Sequence, residues 1–262
     1  MKKTTKLFIV SLLFFHSFKT HAQSLKAFIQ PYKGQIQLKL PAEILELNNW
    51  KLNVPEGIKT PGKSDEYRQP ELKTYHNDKW FFVNKAGDAV VFSAMTGGTT
   101  TIGSGYPRSE LREMTDQGKK NASWSSSIGI HTLFIEQRII HLPEKKPHIV
   151  VGQIHDDKDD VIVFRLERNK LFVKMGNEKG PVLEDNYQLG TRFTVMFKVN
   201  SDQTECYYNG KLKFTYPKVF SNAYFKAGAY VQSSCQGERK VEGESCEAYG
   251  AVEIYKVSVK HE

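Results

Sequence analysis

From Trp50 onward the chain never sustains a helical apolar period. It breaks instead into short runs in which polar and apolar residues alternate. The runs are 89–94, 130–140, 148–155, 161–167, 170–175, 192–200, 203–208, 211–216, 224–232 and 250–260, with Gly, Pro, Asn or Asp clusters between them. In YYNGKL, Asn209-Gly210 sits between two such runs and is the strongest short hairpin signal of the chain. Many short strands with regular turns mean an all-β antiparallel sandwich or barrel. An aromatic fraction of 12% favours strands, and a hydrophobic fraction of 39% supplies a core for one domain of this length. No internal repeat, low-complexity linker or shift of composition divides it.

The first 22 residues stand apart. They have a lysine-rich start, an apolar run from Leu7 to Phe15 and a small-residue end at THA. That pattern reads as a secretory signal peptide cut before Gln23, so the mature protein is expected to be secreted or periplasmic. The apolar run is too short to span a bilayer, and no later segment is long enough to do so. Residues 23–44 read as a lead-in, with AEILEL at 42–47 as the best short-helix candidate, and the main domain occupies 45–262.

The net charge of +8 includes Lys2, Lys3, Lys6 and Lys19, and without these four the mature chain carries +4. This is too mild for the basic stripe of a nucleic-acid binder. It suits a polyanionic ligand. Export permits a disulfide. Cys235 and Cys246 bracket a polar stretch and could staple a hairpin, leaving Cys206 as a free buried thiol, although spacing alone does not prove the pairing. The cysteine spacing fits no zinc site. HDDKDD at 155–160 lacks calcium-loop spacing and reads as an acidic turn. The sequon NAS at 121–123 reads as incidental.

Three runs carry chemistry on one face. In RSELRE, strand alternation puts Arg108, Glu110 and Arg112 on one side and Ser109, Leu111 and Glu113 on the other. In IVVGQIH it groups Ile149, Val151, Gln153 and His155 against Val150, Gly152 and Ile154. In YFKAGAYVQ it groups Tyr224, Lys226, Gly228, Tyr230 and Gln232, and sends Phe225, Ala227, Ala229 and Val231 to the core. Gly228 is expected to leave room for a ligand against the sheet. Each segment alone reads equally well as a solvated strand face. Together they hold cations and amides that grip a carboxylate, a His and tyrosines that move protons, and rings that stack on sugars. Glu110, flanked by two arginines, is expected to stay ionised and to be a poor general acid. No carboxylate pair of the glycoside hydrolase kind stands out.

At these residues the chain resembles the alginate lyases of polysaccharide lyase family 7. The motifs RSELRE at 108–113, QIH at 153–155 and YFKAGAYVQ at 224–232 match in kind and order, and NNWKLNVP at 48–55 looks like the family's opening strand. TTIGSG, ahead of the first motif, is slightly longer than the family's usual lead-in, and the Cys235–Cys246 stretch comes directly after the third motif. The resemblance implies a jelly roll of two antiparallel sheets with a concave substrate cleft. It implies that Arg108, Gln153, His155 and Tyr230 are catalytic, with Tyr224 the alternative tyrosine. Glu110, Arg112, Tyr224, Lys226 and Gln232 would shape the subsites, with no metal or organic cofactor. The partner implied is an anionic polysaccharide, alginate, bound by a monomer. Ile154 in QIH is associated in the family with guluronate-containing substrates. A lyase on another polyuronate such as glucuronan, or a non-catalytic carbohydrate-binding jelly roll, are the alternatives.

Overall fold

The computed structural model describes residues 39–262. The expected signal peptide at 1–22 and most of the lead-in fall outside the described residues. One 3-10 turn, Pro41–Glu43, stands where AEILEL was expected to be helical. Leu45 and Leu47, two residues apart, both enter the core. That is an extended period, which a continued helix could not satisfy.

Among the described residues, a second 3-10 turn, Glu71–Lys73, and sixteen strands make up the other regular elements. In chain order the strands are β1 (Trp50–Val54), β2 (Asp65–Tyr67), β3 (Phe81–Val83), β4 (Val90–Met95), β5 (Arg108–Thr115), β6 (Lys120–Asn121), β7 (Ile130–His141) and β8 (His148–His155). Then come β9 (Asp160–Glu167), β10 (Lys170–Met175), β11 (Glu178–Glu184), β12 (Phe193–Asn200), β13 (Gln203–Tyr208), β14 (Lys211–Pro217), β15 (Tyr224–Val231) and β16 (Tyr249–His261). One sheet runs β11-β10-β9-β8-β15-β5-β1-β2, with β6 paired to the end of β5. The other runs β14-β13-β12-β7-β16-β4-β3. All strand pairs are antiparallel and neither sheet closes, so the fold is a sandwich and not a barrel. Asn209 and Gly210 both have positive φ, the backbone that the tight β13–β14 hairpin requires.

The core lies between the sheets. Phe164 of β9 stacks on Phe197 of β12 with ring centroids 4.1 Å apart, and Leu52, Leu111, Ile135, Phe225 and Val252 are fully buried around it. Burying each such side chain contributes about 1.5–3 kcal/mol. On β5 and β15 the expected alternation holds: Leu111, Phe225, Ala227 and Ala229 belong to the core cluster.

On β8 it does not. Ile149 and Val151 join Ile154 in the core, so they do not share the face of Gln153 and His155. The register against β9 slips between Val150 and Gly152. This β-bulge shifts the strand by one residue and reverses the parity of the residues beyond it. Gly152 fits because a Cβ there would lie 2.8 Å from Ile135 Cδ1.

Gly228 also departs from expectation. It does not open space for a ligand. Its φ is +145°, and a Cβ would meet Ser109 O at 2.5 Å and Glu110 Cα at 2.7 Å, on the neighbouring strand β5. The register between β15 and β8 slips over the same stretch, so the glycine lets β15 bulge while staying tight against β5. Cys235 and Cys246 are bonded, and Cys206 is free and buried.

Gly228→Ala is expected to destabilise the fold by about 3 kcal/mol, from backbone strain and overpacking together. Urea unfolding measures this, and a change below about 1 kcal/mol would show that β15 and β5 can move apart freely.

Candidate active site

The outer face of the first sheet carries a cleft of about 580 Å³ over β8, β15, β5 and β1. The pairing registers lay one row of side chains across these strands. Lys51 of β1 is opposite Arg112 of β5, Arg112 is opposite Lys226 of β15, and Lys226 is opposite Gln153 of β8. Tyr230 is opposite Arg108, and Tyr224 is opposite His155. The three sequence motifs are thus adjacent strands of one wall.

Glu110 lies beneath that wall, 1% exposed. Its Oε2 is 2.7 Å from Lys226 Nζ and 3.0 Å from Arg108 Nη1, and its Oε1 accepts the amide of Gln153. Burial pushes its pKa up, but the charges of Lys226 and Arg108 and the donated hydrogen bonds outweigh this and hold it below the usual carboxylate range. Lys226 is brought down to about 8 by burial and by Arg108, against the pull of Glu110. One anion holding two cations leaves a positive excess facing the cleft. Lys51 is paired with Glu66 at 2.8 Å. Arg112 has no carboxylate within ion-pair distance among the described residues. Its guanidinium lies 3.9 Å over the Tyr224 ring and it lines the cleft. Unlike Arg108, Lys226 and Lys51, it is left free to meet a ligand carboxylate.

His155 is half-buried at the edge of the row. Its Nδ1–H donates to Asp156 O at 2.6 Å, with Tyr224 Oη 3.1 Å away, and its ring stacks on that of Tyr224. This fixes the tautomer and leaves Nε2 as the free basic nitrogen. Burial, then the charge of Lys226, lowers its pKa, which favours the neutral ring that a base must have. Burial raises the pKa of Tyr224. Tyr230 stands at the other side of the row, with the Arg108 guanidinium 3.7 Å over its ring and Ser104 Oγ 3.0 Å from its hydroxyl.

The cleft is lined by Arg108, Arg112, Gln153, His155, Tyr224, Lys226 and Tyr230. Gln232 does not line it: its side-chain oxygen accepts from Arg165 Nη1 at 2.8 Å, which ties it to another part of the sheet. Lys51, Asn53, Lys63 and Ser104 line the cleft and were not anticipated. Lys51 and Asn53 alternate with Trp50, Leu52 and Val54, which are buried, so the pattern of WKLNV held the signal. The acidic stretch after His155 is a turn in which Asp156 Oδ1 accepts the N–H groups of Lys158 and Asp159.

A family model described as alginate lyase matches residues 45–261. A solved alginate lyase from polysaccharide lyase family 7 is 51% identical, with a TM-score of 0.81 over 86% of this chain and 99% of the other. The solved alginate lyase from Corynebacterium sp. is 44% identical, with a TM-score of 0.81 over the same shares, 86% and 99%. A curated alginate lyase from Klebsiella pneumoniae is 35% identical over 156 residues, 50% of each chain, so the match spans about half the length of that relative.

Glu110→Gln removes the counter-charge from two buried cations and is expected to lower stability at pH 7 by about 3–5 kcal/mol. The pKa of Glu110 is depressed in the fold, so its contribution is complete above the ordinary value of 4.5 and is lost as pH falls through the lower, folded value. The gap in urea midpoint between wild type and variant therefore closes in acid. A gap that does not change with pH would show that the Glu110 charge is not what the fold uses.

Proposed function

This chain belongs to the alginate lyase family, polysaccharide lyase family 7, and from that premise we propose that it cleaves alginate by β-elimination and prefers guluronate-containing stretches. The observation that carries the reading is a buried, positively charged row between a neutral histidine and a tyrosine.

The C5 proton of a uronate is weakly acidic while the carboxylate beside it is ionised. Arg108 and Gln153, both anchored on Glu110, neutralise that carboxylate and stabilise the charge that develops on it. Arg112 and Lys226 extend the positive field to a neighbouring uronate. His155 Nε2 takes the C5 proton of guluronate. The electron pair becomes the C4=C5 bond and the C4–O bond breaks. Tyr230 gives its proton to the departing oxygen. In mannuronate the C5 proton lies on the other side, where Tyr230 serves as both base and acid. Tyr224 is a less suitable acid, because its hydroxyl lies against His155 Nδ1. Support for guluronate comes from Ile154, fully buried behind Gln153 and His155, where it can set their position without touching substrate. The Cys235–Cys246 bond suits an exported protein, secreted or periplasmic, and we assign it as a monomer.

Ultraviolet absorbance of the new double bond on polyguluronate, polymannuronate and glucuronan tests this, and the first is expected to rise fastest. No rise on any of the three would remove the lyase reading. His155→Ala and Tyr230→Phe are each expected to lower kcat/KM by at least about 100-fold with little change in urea midpoint. Full activity in Tyr230→Phe would shift the acid role to Tyr224. Because the His155 pKa is lowered and the base must be neutral, activity should rise with pH through a midpoint below the ordinary 6.5. An acid limb above that value would contradict the role of His155.

A further inference from the structure

The segment between β4 and β5 reaches into the cleft with Ser104, which is half-buried. Its Oγ has four polar neighbours. It donates to Tyr106 O at 3.0 Å. It accepts from Arg108 Nη2 at 3.0 Å and from the Tyr106 N–H at 3.2 Å. Tyr230 Oη is 3.0 Å away. A serine hydroxyl has one hydrogen and two lone pairs. Arg108 Nη2 and Tyr106 N–H fill both lone pairs, so the one hydrogen of Ser104 is left to turn between Tyr106 O and Tyr230 Oη. When that hydrogen is on Tyr230 Oη, the tyrosine's own proton is turned away from Ser104 and is free to be given away.

We propose that Ser104 is a positioning residue for the elimination, which leaves the Tyr230 proton free for the leaving oxygen and turns its own hydrogen onto the phenolate. This rests on the reading of Tyr230 as the acid. When the C4–O bond breaks, the proton of Tyr230 goes to the departing oxygen and the phenol becomes an anion. Ser104 then faces an oxygen that can only accept. Rotating its hydroxyl from Tyr106 O to the phenolate replaces a neutral hydrogen bond with a charge-assisted one, roughly twice as strong. Donation from Arg108 Nη2 into Ser104 Oγ polarises that hydroxyl and makes it a better donor. The same guanidinium lies over the Tyr230 ring. Arg108 thus supports the phenolate twice, through the ring and through Ser104. Solvent then removes the proton from His155 and returns one to Tyr230, which completes the cycle.

Ser104→Ala is expected to lower kcat on polyguluronate by about 10–100-fold, with KM changed less than about 2-fold, and to move the alkaline limb of the pH–rate profile upward by about one pH unit. Ser104→Thr, which keeps the hydroxyl, should recover most of the rate. An independent readout is the 13C NMR titration of the tyrosine ζ-carbons, with Tyr230 identified by the resonance missing in Tyr230→Phe. Its midpoint should lie at higher pH in Ser104→Ala than in wild type. Wild-type kcat in Ser104→Ala, a titration unmoved by the substitution, or a Thr variant as slow as the Ala variant would each overturn the proposal. If the wild type eliminates no uronate at all, the lyase reading fails, and the titration alone still decides whether Ser104 supports the Tyr230 anion.

Discussion

Antiparallel strands are about 4.8 Å apart, and across four of them this chain sets Lys51, Arg112, Lys226 and Gln153 in one row with Arg108 nearby. Cations at that spacing, partly withdrawn from water, repel one another by several kcal/mol. Glu110 resolves this. Its side chain is fully buried, and it binds Lys226, Arg108 and Gln153 together. Its charge matters for what it leaves over. A second buried anion would cancel the field that attracts a polyuronate, and none at all would leave the row unstable. The same carboxylate orients the amide and guanidinium that are to meet the substrate, so stability and preorganisation rest on one group.

That arrangement requires a close fit of β15 to its neighbours. Gly228 lets β15 press against β5, and the bulge beside it aligns Lys226 with Gln153 at one end and Tyr230 with Val150 at the other. On β8 the slip at Val151–Gly152 lets two consecutive stretches be used differently: Ile149 and Val151 fill the core, while Gln153 and His155 face the cleft. Bulges often re-aim side chains beside active sites. Here two of them, on adjacent strands, bring the base, the amide and the buried lysine to one place.

Much of this was legible in the sequence, for reasons that differ by residue. Ten alternating runs appear as strands, and Arg108, Glu110 and Arg112 share a face because β5 is regular along its pairing with β15. The strands β2, β3 and β6 have two or three residues each, too few for alternation to show, and β11 carries Gly180 and Pro181 at a sheet edge. Strict period-two reasoning failed at Val151, because a bulge changes parity by one residue and leaves no mark but a glycine, and Gly228 serves a close approach to β5 that its own strand does not reveal. Gln232 was placed by its strand, but its partner Arg165 comes from β9, and no local pattern reveals a partner so far away in the chain. Ser104 lies in a loop, where no periodicity aims a side chain.

The site divides its proton chemistry between two unlike supports. His155 is oriented by its own strand end, with Asp156 O fixing the tautomer and Tyr224 stacked against the ring. Nothing there needs to move, because a base that accepts one proton at a free nitrogen needs only to be aimed and kept neutral. Tyr230 has the harder task, since it must end as an anion close to a departing oxygen. Its support is a guanidinium over the ring and a serine hydroxyl that can turn to donate. The guanidinium belongs to the buried row and is fixed through Glu110. The hydroxyl belongs to a loop and is free to turn. The rigid half of the site holds charge in place, and the turning hydroxyl tracks the charge as it forms.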